Sequence, residues 1–220
     1  MGDWQPVMAR DGHTFNVYLA APGGPARGAV VILQEIFGVN AHIRELVDQY
    51  AAAGFVAAAP ALYDRIGSRI ETGYSPAEIG QARGYMLQVK RGDALADIAA
   101  TINIVRHAGR VALIGYCWGG MLAWVGARTL PIRCAVAYYA SRIGENLDAA
   151  PRCPMLLHFG EKDPGIPRSD VEQAQSLFPQ GIFHWYPAGH AFNRGGSSYD
   201  APAATLAWKR TQDFLGEQLA

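Results

Sequence analysis

The amino-acid sequence predicts an α/β fold with a mostly parallel sheet flanked by helices. Short β-rich runs alternate with longer helical stretches along the 220 residues, and this alternation is typical of parallel sheets. Some of the β-rich runs, such as AVVIL at residues 29–33, are continuously apolar, as expected of strands that are covered on both faces. Half of the residues are hydrophobic, so a chain of this length can bury a substantial core.

The predicted elements follow one another without a long break. The predicted strands are residues 14–20, 29–33, 55–59, 110–114, 134–138, 155–159 and 182–186, and the predicted helices are residues 41–53, 79–89, 93–107 and 202–215. The first helix carries apolar residues at helical spacing and has Asn40 as an N-cap candidate and Gly54 as a stop. No repeat, low-complexity tract or Gly/Ser linker interrupts the pattern, so we expect residues 1–220 to form one domain.

Composition narrows the class of protein. The 19 Lys and Arg balance the 19 Asp and Glu, which argues against a nucleic-acid partner because phosphate contacts need clustered positive charge. The uncharged segment 111–127 contains several glycines and is shorter than the roughly 20 apolar residues of a membrane span. The start, MGDWQPVMAR, does not resemble a secretory leader. We expect a cytoplasmic protein, a monomer or small homo-oligomer, that acts on a small molecule.

The sharpest motif lies between a predicted strand and a helical stretch. Residues 115–120 read GYCWGG, which places Cys117 at the centre of the nucleophile elbow that α/β-hydrolases carry. A strand that runs directly into a helix strains its central residue, and flanking glycines allow the close packing that this turn needs. The turn presents the nucleophile at a helix N-terminus, which favours a thiolate and a developing oxyanion. A buried structural cysteine is the alternative.

An acid and a histidine follow the elbow in the chain order of this fold. Asp163 lies in GEKDP after the strand 155–159, and His190 lies in AGHAF after the strand 182–186. Both follow the carboxyl end of a predicted strand, where open α/β sheets place their sites. Asp163 could be an ordinary turn residue, and Glu161 is a rival acid in the same loop. The order nevertheless predicts an α/β-hydrolase with a Cys117–His190–Asp163 triad.

One more carboxylate lies in a loop that contributes to catalysis in this fold. Glu35 follows the strand 29–33 within QEIFG, the loop that supplies the second oxyanion N–H group in this fold. A solvated loop glutamate is the alternative, and spacing alone does not decide between the two.

Four motifs taken together resemble one protein family. QEIFGVN (34–40), GYCWGG (115–120), GEKDPGIP (160–167) and AGHAFNR (188–194) are similar in sequence, order and spacing to the motifs of the dienelactone hydrolases, also called carboxymethylenebutenolidases. The resemblance covers nearly the whole chain. It implies the α/β-hydrolase fold, no cofactor, and hydrolysis of an enol-lactone in the degradation of aromatic compounds.

The resemblance also implies roles for the matching residues. Cys117 would be the nucleophile, His190 the base, Asp163 its orienting acid, Glu35 the activating carboxylate, Ile36 and Trp118 the backbone oxyanion donors, and Arg194 and Tyr85 substrate-binding residues. Members carry a second substrate arginine four positions before the tyrosine, where this chain has Gln81, and Arg83 is close but out of register. Ala191 stands where some members carry a serine.

Two other functions remain open at this point. A general carboxylesterase on the same scaffold is one, because a fold does not fix a substrate, and a non-catalytic ligand-binding member is the other. No HExxH, GxxxxGK or GxGxxG-after-strand pattern occurs, so neither a metal nor a nucleotide is expected. His158 and His184 lie inside predicted strands, and Cys134 and Cys153 are expected to be packing residues.

Overall fold

A computed structural model describes all 220 residues and divides them into two units, Met1–Val111 and Ala112–Ala220. The prediction that residues 1–220 form one domain stays a prediction.

The first unit is built on four strands in the order β1-β2-β4-β3. Their bounds are Asp3–Met8 (β1), Thr14–Ala20 (β2), Ala29–Leu33 (β3) and Val56–Pro60 (β4). Strands β1, β2 and β4 pair antiparallel, and β3 pairs parallel with β4. Strand β1 was not predicted, because only Val7 of its six residues is buried and Pro6 interrupts it. Proline is tolerated in such a strand because β1 pairs on one side only.

Three helices accompany these strands: α1 (Ala41–Ala52), α2 (Pro76–Gln88) and α3 (Arg91–Val105). Helix α1 begins as predicted, with the Asn40 side chain accepting a hydrogen bond from the Ile43 N–H group. Helix α2 begins earlier than residue 79 because Ser75 and Glu78 form a capping box around Pro76. The Ser-x-x-Glu spacing is a signal for this start that the apolar periodicity alone does not carry.

The second unit carries four strands, all parallel, in the order β5-β6-β7-β8. Strand β5 covers Val111–Tyr116, β6 Cys134–Tyr138, β7 Met155–Gly160 and β8 Ile182–Tyr186, and the helices are α4 (Trp118–Gly126), α5 (Arg168–Leu177) and α6 (Ala201–Leu219). Every residue of β5, β6 and β7 is buried, as their continuous apolar runs predict. Strand β8 is half-exposed.

A buried polar cluster lies in the core of the second unit. His158 on β7 is fully buried; its Nδ1 lies 2.8 Å from Tyr186 Oη and its Nε2 lies 3.0 Å from Thr211 Oγ1. Thr211 Oγ1 is also 2.7 Å from Tyr138 Oη, and Arg210 donates to Tyr186 Oη at 3.1 Å. The cluster therefore joins β6, β7, β8 and α6. Burial lowers the pKa of His158 well below its ordinary value, so the imidazole is neutral.

The predicted fold class is confirmed. Four of the six strand pairings within the two units are parallel, and helices lie between the strands along the chain. None of the helices is long and apolar enough to cross a membrane.

Candidate active site

Cys117 lies in a sharp turn between β5 and α4. Its backbone has φ 54° and ψ −112°, a left-handed region that is costly for any residue with a Cβ atom. Gly115 makes the turn possible, because a Cβ atom there would lie 1.9 Å from the Gly119 carbonyl oxygen. Gly120 allows a second close approach, since its Cβ atom would lie 2.9 Å from Ala140 Cα. The geometry is that of a nucleophile elbow.

Backbone hydrogen bonds hold the turn in place. The Cys117 N–H group donates to the Tyr138 carbonyl at 3.0 Å, and the Cys117 carbonyl accepts from Met121 at 3.2 Å and from Ser141 at 3.1 Å. Hydrogen bonds from the end of β6, from the loop after it and from α4 thus hold the strained Cys117 backbone. Trp118 is the first residue of α4, so its N–H group lies at the positive end of the helix dipole.

Asp163 follows β7 and is oriented toward His190. Asp163 Oδ2 lies 2.5 Å from His190 Nδ1, and Asp163 Oδ1 accepts the Gly165 N–H group at 2.8 Å. The Asp163 side chain is only 1% exposed. Glu161, the rival acid, is exposed and its side chain makes no hydrogen bond or ion pair. The structure therefore places Asp163, and not Glu161, against the histidine.

His190 connects the acid to the nucleophile. Burial lowers the pKa of His190, but hydrogen bonds and charge interactions with Asp163 and Cys117 outweigh burial and raise it to about 10. These two partners therefore favour the imidazolium form of His190, with one N–H group on the Asp163 carboxylate and the other facing the sulfur. The structure brings together Cys117, His190 and Asp163, the three residues that the chain order predicted.

Tyr139 contacts the His190 ring and is bonded to Asn193, and neither residue was predicted from the sequence. The ring of Tyr139, which follows β6, lies 5.0 Å from the His190 ring between centroids. Its hydroxyl donates a hydrogen bond to Asn193 Oδ1, in the loop that carries His190. The available signal was the position of Tyr139 directly after a strand, at the sheet edge where Asp163 and His190 also lie.

Ser141 is a third residue that sequence reasoning missed. Its Oγ atom lies 3.6 Å from Cys117 Sγ. The sequence gives little warning of this contact, because residues 139–142 resemble any strand-to-turn segment.

Arg194, the predicted substrate-binding arginine, follows His190 in the same loop. Its N–H group donates to the Ala191 carbonyl at 2.9 Å, which closes a turn. Its guanidinium lies 3.5 Å from Ser198 Oγ. Ala191 has φ 58°, so the loop bends sharply between the histidine and the arginine.

The remaining predicted site residues belong to the first unit. Glu35 and Ile36 follow β3, and both are buried, Glu35 to 1% exposure. On α2, Gln81 Nε2 donates to Tyr85 Oη at 2.8 Å. Gln81 and Tyr85 are four residues apart and share a face of the helix. Arg83 is exposed and lies on a different face, so within this unit Gln81 occupies the position beside Tyr85.

The other two cysteines are unreactive because of their surroundings. Burial raises the pKa of the Cys134 thiol to about 12 and that of the Cys153 thiol to about 11. A thiol with so high a pKa is a poor nucleophile at neutral pH. No group of three or more His, Cys, Asp and Glu side chains is arranged to hold a metal ion.

The elbow, the parallel strands and the Asp–His pair define an α/β-hydrolase. A Klebsiella pneumoniae crystal structure assigned to the dienelactone hydrolases superposes with a TM-score of 0.87 at 29% identity, covering 99% of this chain and 98% of that one. A dienelactone hydrolase-like promiscuous phosphotriesterase from metagenomic libraries, P91, has the same fold, with a TM-score of 0.76 at 21% identity over 99% and 98% of the two chains.

Sequence comparison narrows the class to a family. Residues 15–219 match the dienelactone hydrolase family. Carboxymethylenebutenolidase 1 of Cupriavidus pinatubonensis is 34% identical, covering 98% of this chain and 97% of the relative. The carboxymethylenebutenolidase of Pseudomonas putida is 36% identical, covering 95% and 94%. The chain belongs to the dienelactone hydrolase family and is a carboxylic-ester hydrolase.

Proposed function

We propose that this chain opens an enol-lactone, or cleaves a related small carboxylic ester, through a thioester formed on Cys117. The observation that carries the proposal is the hydrogen-bonded Asp163–His190 pair beside Cys117 at a nucleophile elbow. Family relatives at 34% and 36% identity that are named carboxymethylenebutenolidases support the lactone as substrate.

The first step forms the covalent bond. Substrate binding frees Glu35 or His190 to take the Cys117 proton, and the sulfur attacks the carbonyl carbon of the lactone. The negative charge moves to the carbonyl oxygen, which the N–H groups of Trp118 and Ile36 would stabilise as family resemblance implies. Each such donor contributes about 3–4 kcal/mol in acyl-transfer enzymes. The raised pKa of His190 favours it as the group that holds the proton at this stage.

The second step opens the ring. When the oxyanion collapses, the C–O bond of the lactone breaks, and the leaving enolate oxygen takes the proton from the His190 imidazolium. The product remains attached to Cys117 as a thioester. Asp163 keeps the imidazole in the orientation in which Nε2 faces the reacting atoms, since Nδ1 is held at 2.5 Å.

The third step releases the product. A water molecule loses a proton to the now neutral His190 and attacks the thioester carbonyl, and the Cys117 thiolate leaves and regains the proton. The product is a carboxylic acid. In the resting enzyme Glu35 would hold the Cys117 thiol and release it on substrate binding, as the resemblance implies, and Arg194 would hold a substrate carboxylate.

The test is a panel of substrates assayed on matched variants. We expect wild type to hydrolyse cis- or trans-dienelactone, and Cys117→Ala to lose at least about a thousandfold in kcat, because removal of a covalent nucleophile is among the costliest changes an enzyme undergoes. Cys153→Ala is the matched control and should retain full activity. Full hydrolysis by Cys117→Ala would refute the proposal.

The panel also decides between the two alternatives. Turnover of aryl acetates with none on either dienelactone would indicate a general carboxylesterase. Binding of a lactone without turnover would indicate a non-catalytic member, although the hydrogen-bonded Asp163–His190 pair favours catalysis.

A further inference from the structure

The last residue of β6 and the loop that follows it contact Cys117 at three atoms. The Tyr138 carbonyl accepts the Cys117 N–H group at 3.0 Å, and the Ser141 N–H group donates to the Cys117 carbonyl at 3.1 Å. The third contact joins Ser141 Oγ to Cys117 Sγ at 3.6 Å. Two backbone bonds therefore fix the position from which the serine hydroxyl reaches the sulfur.

The Ser141 hydroxyl has no hydrogen-bond partner other than this sulfur. A hydroxyl can both accept and donate a hydrogen bond, so the same group suits both states of the cysteine. It accepts the S–H proton when the thiol is neutral, and it donates its own proton when the sulfur is a thiolate. Because the Ser141 backbone is anchored to Cys117, little ordering is needed for either bond.

We propose that Ser141 is a further catalytic residue, whose Oγ–H group donates to the Cys117 thiolate and stabilises it before it attacks. This role adds to the proposed function. Its expected effect on turnover depends on the proposed function being correct. The effect on the thiol itself exists whether or not the chain opens lactones.

One charged group, His190, contacts the sulfur. His190, with Asp163 behind it, faces the thiol from the loop after β8. Arg142 is next to Ser141 in sequence, but its guanidinium is engaged with Glu145 in an exposed ion pair. Glu35 is the carboxylate that the proposed mechanism assigns to the resting thiol. All of these groups remain when only the Ser141 hydroxyl is removed.

The experiment titrates the thiol directly, by the ultraviolet absorbance of the thiolate and by the pH dependence of iodoacetamide alkylation. Ser141→Ala should raise the apparent pKa of the Cys117 thiol by about one unit and slow alkylation near pH 7 about tenfold, because a thiolate loses a charge-assisted donor. Ser176→Ala is the matched control: this exposed serine bonds only to a carbonyl in its own helix, and its removal should change nothing.

A second pair of variants separates the hydroxyl from packing. Ser141→Thr and Ser141→Val have the same shape, and only threonine keeps the hydroxyl. Threonine should retain the wild-type titration and valine should shift it, and this comparison also serves if Ser141→Ala does not fold. An unchanged titration in both Ser141→Ala and Ser141→Val would overturn the proposal.

Turnover distinguishes this proposal from the proposed function. If wild type cleaves no lactone or ester while Ser141→Ala still shifts the thiol titration, the assignment of Ser141 stands and the proposed function fails. If wild type is active and Ser141→Ala keeps both its titration and its kcat, the assignment of Ser141 fails alone.

Discussion

At the scale of single residues, Cys117 has a strained backbone that its close-packed neighbours hold in place. Its φ of 54° is sustained because Gly115 and Gly120 admit neighbours that any side chain would exclude. His190 has a comparable dependence on its partners, because burial alone would make it a weaker base than it is in the structure. The reactivity of this site is therefore a property of contacts more than of residue types.

Asp163→Asn tests that dependence. The amide can still accept the Gly165 N–H group, but it cannot hold the imidazolium as a carboxylate does, so the pKa of His190 should fall. By comparison with other triads we expect kcat to fall by about 10³- to 10⁴-fold. The measurements are lactone hydrolysis and titration of the His190 ring by NMR. Glu161→Gln, in the same loop but exposed, should leave both unchanged; the opposite pattern would make Glu161 the acid.

Only some of these residues could be predicted from the sequence. The juxtaposition of Cys117, Asp163 and His190 could, because these residues follow a motif and a chain order that are typical of the fold. Ser141 and Tyr139 could not, because their contacts with Cys117 and His190 arise where the ends of separate strands meet. No periodicity or motif encodes such a meeting.

At the scale of elements, the buried polar cluster ties together the strands whose loops carry the site. Strand β7 precedes Asp163 and β8 precedes His190, while β6 precedes Ser141. His158 and Thr211 link these strands to α6. In a buried setting each of these polar groups needs its partner, because an unsatisfied one costs about 1–3 kcal/mol.

Thr211→Val measures how much this cluster stabilises the fold. The substitution keeps the side-chain shape and deprives His158 Nε2 and Tyr138 Oη of their shared partner. We expect the free energy of unfolding to fall by about 1–3 kcal/mol, measured by urea denaturation. Thr205→Val on the exposed side of the same helix is the control, and equal effects of the two substitutions would show that the cluster contributes nothing specific.

Strands could be predicted where their own sequence determines them, and could not be where pairing with a neighbouring strand does. Strands β3, β5, β6 and β7 could be predicted because each is a mostly apolar run. Strand β1 could not, since most of its residues are exposed and pairing with β2 alone makes it a strand. The β-propensity of a segment can be read from its own residues, whereas strand pairing depends on the neighbouring strand.

At the scale of the whole molecule, two histidines make stability depend on pH in opposite directions. His158 has a pKa well below its ordinary value, because burial disfavours the charged form. His190 has a pKa raised to about 10 by its partners. Below its ordinary pKa, His158 is protonated in the unfolded chain but stays neutral in the folded protein. Above its ordinary pKa, His190 is neutral in the unfolded chain but keeps its proton in the folded protein.

The free energy of unfolding should therefore decrease on both sides of neutrality. As pH falls below about 6.5, the unfolded chain gains a proton that buried His158 refuses; as pH rises from about 6.5 toward 10, the unfolded chain has lost a proton that His190 keeps. Urea denaturation at about pH 5, 7 and 9 checks this. His190→Gln should flatten the alkaline side and leave the acid side unchanged, and an alkaline slope identical to that of wild type would contradict the explanation.

The location of the proposed triad within the chain bears on how the family diversifies. Cys117, Asp163 and His190, with Ser141 and Tyr139, all belong to the unit Ala112–Ala220. Glu35, Tyr85 and Gln81 belong to the other unit. A recombination crossover near Gly109 would therefore keep the proposed nucleophile, base and acid together in one segment, with the hydrogen bonds that support them. The residues assigned to activation and substrate contact in the first unit would be exchanged independently, so new specificities could arise without rebuilding the reactive centre.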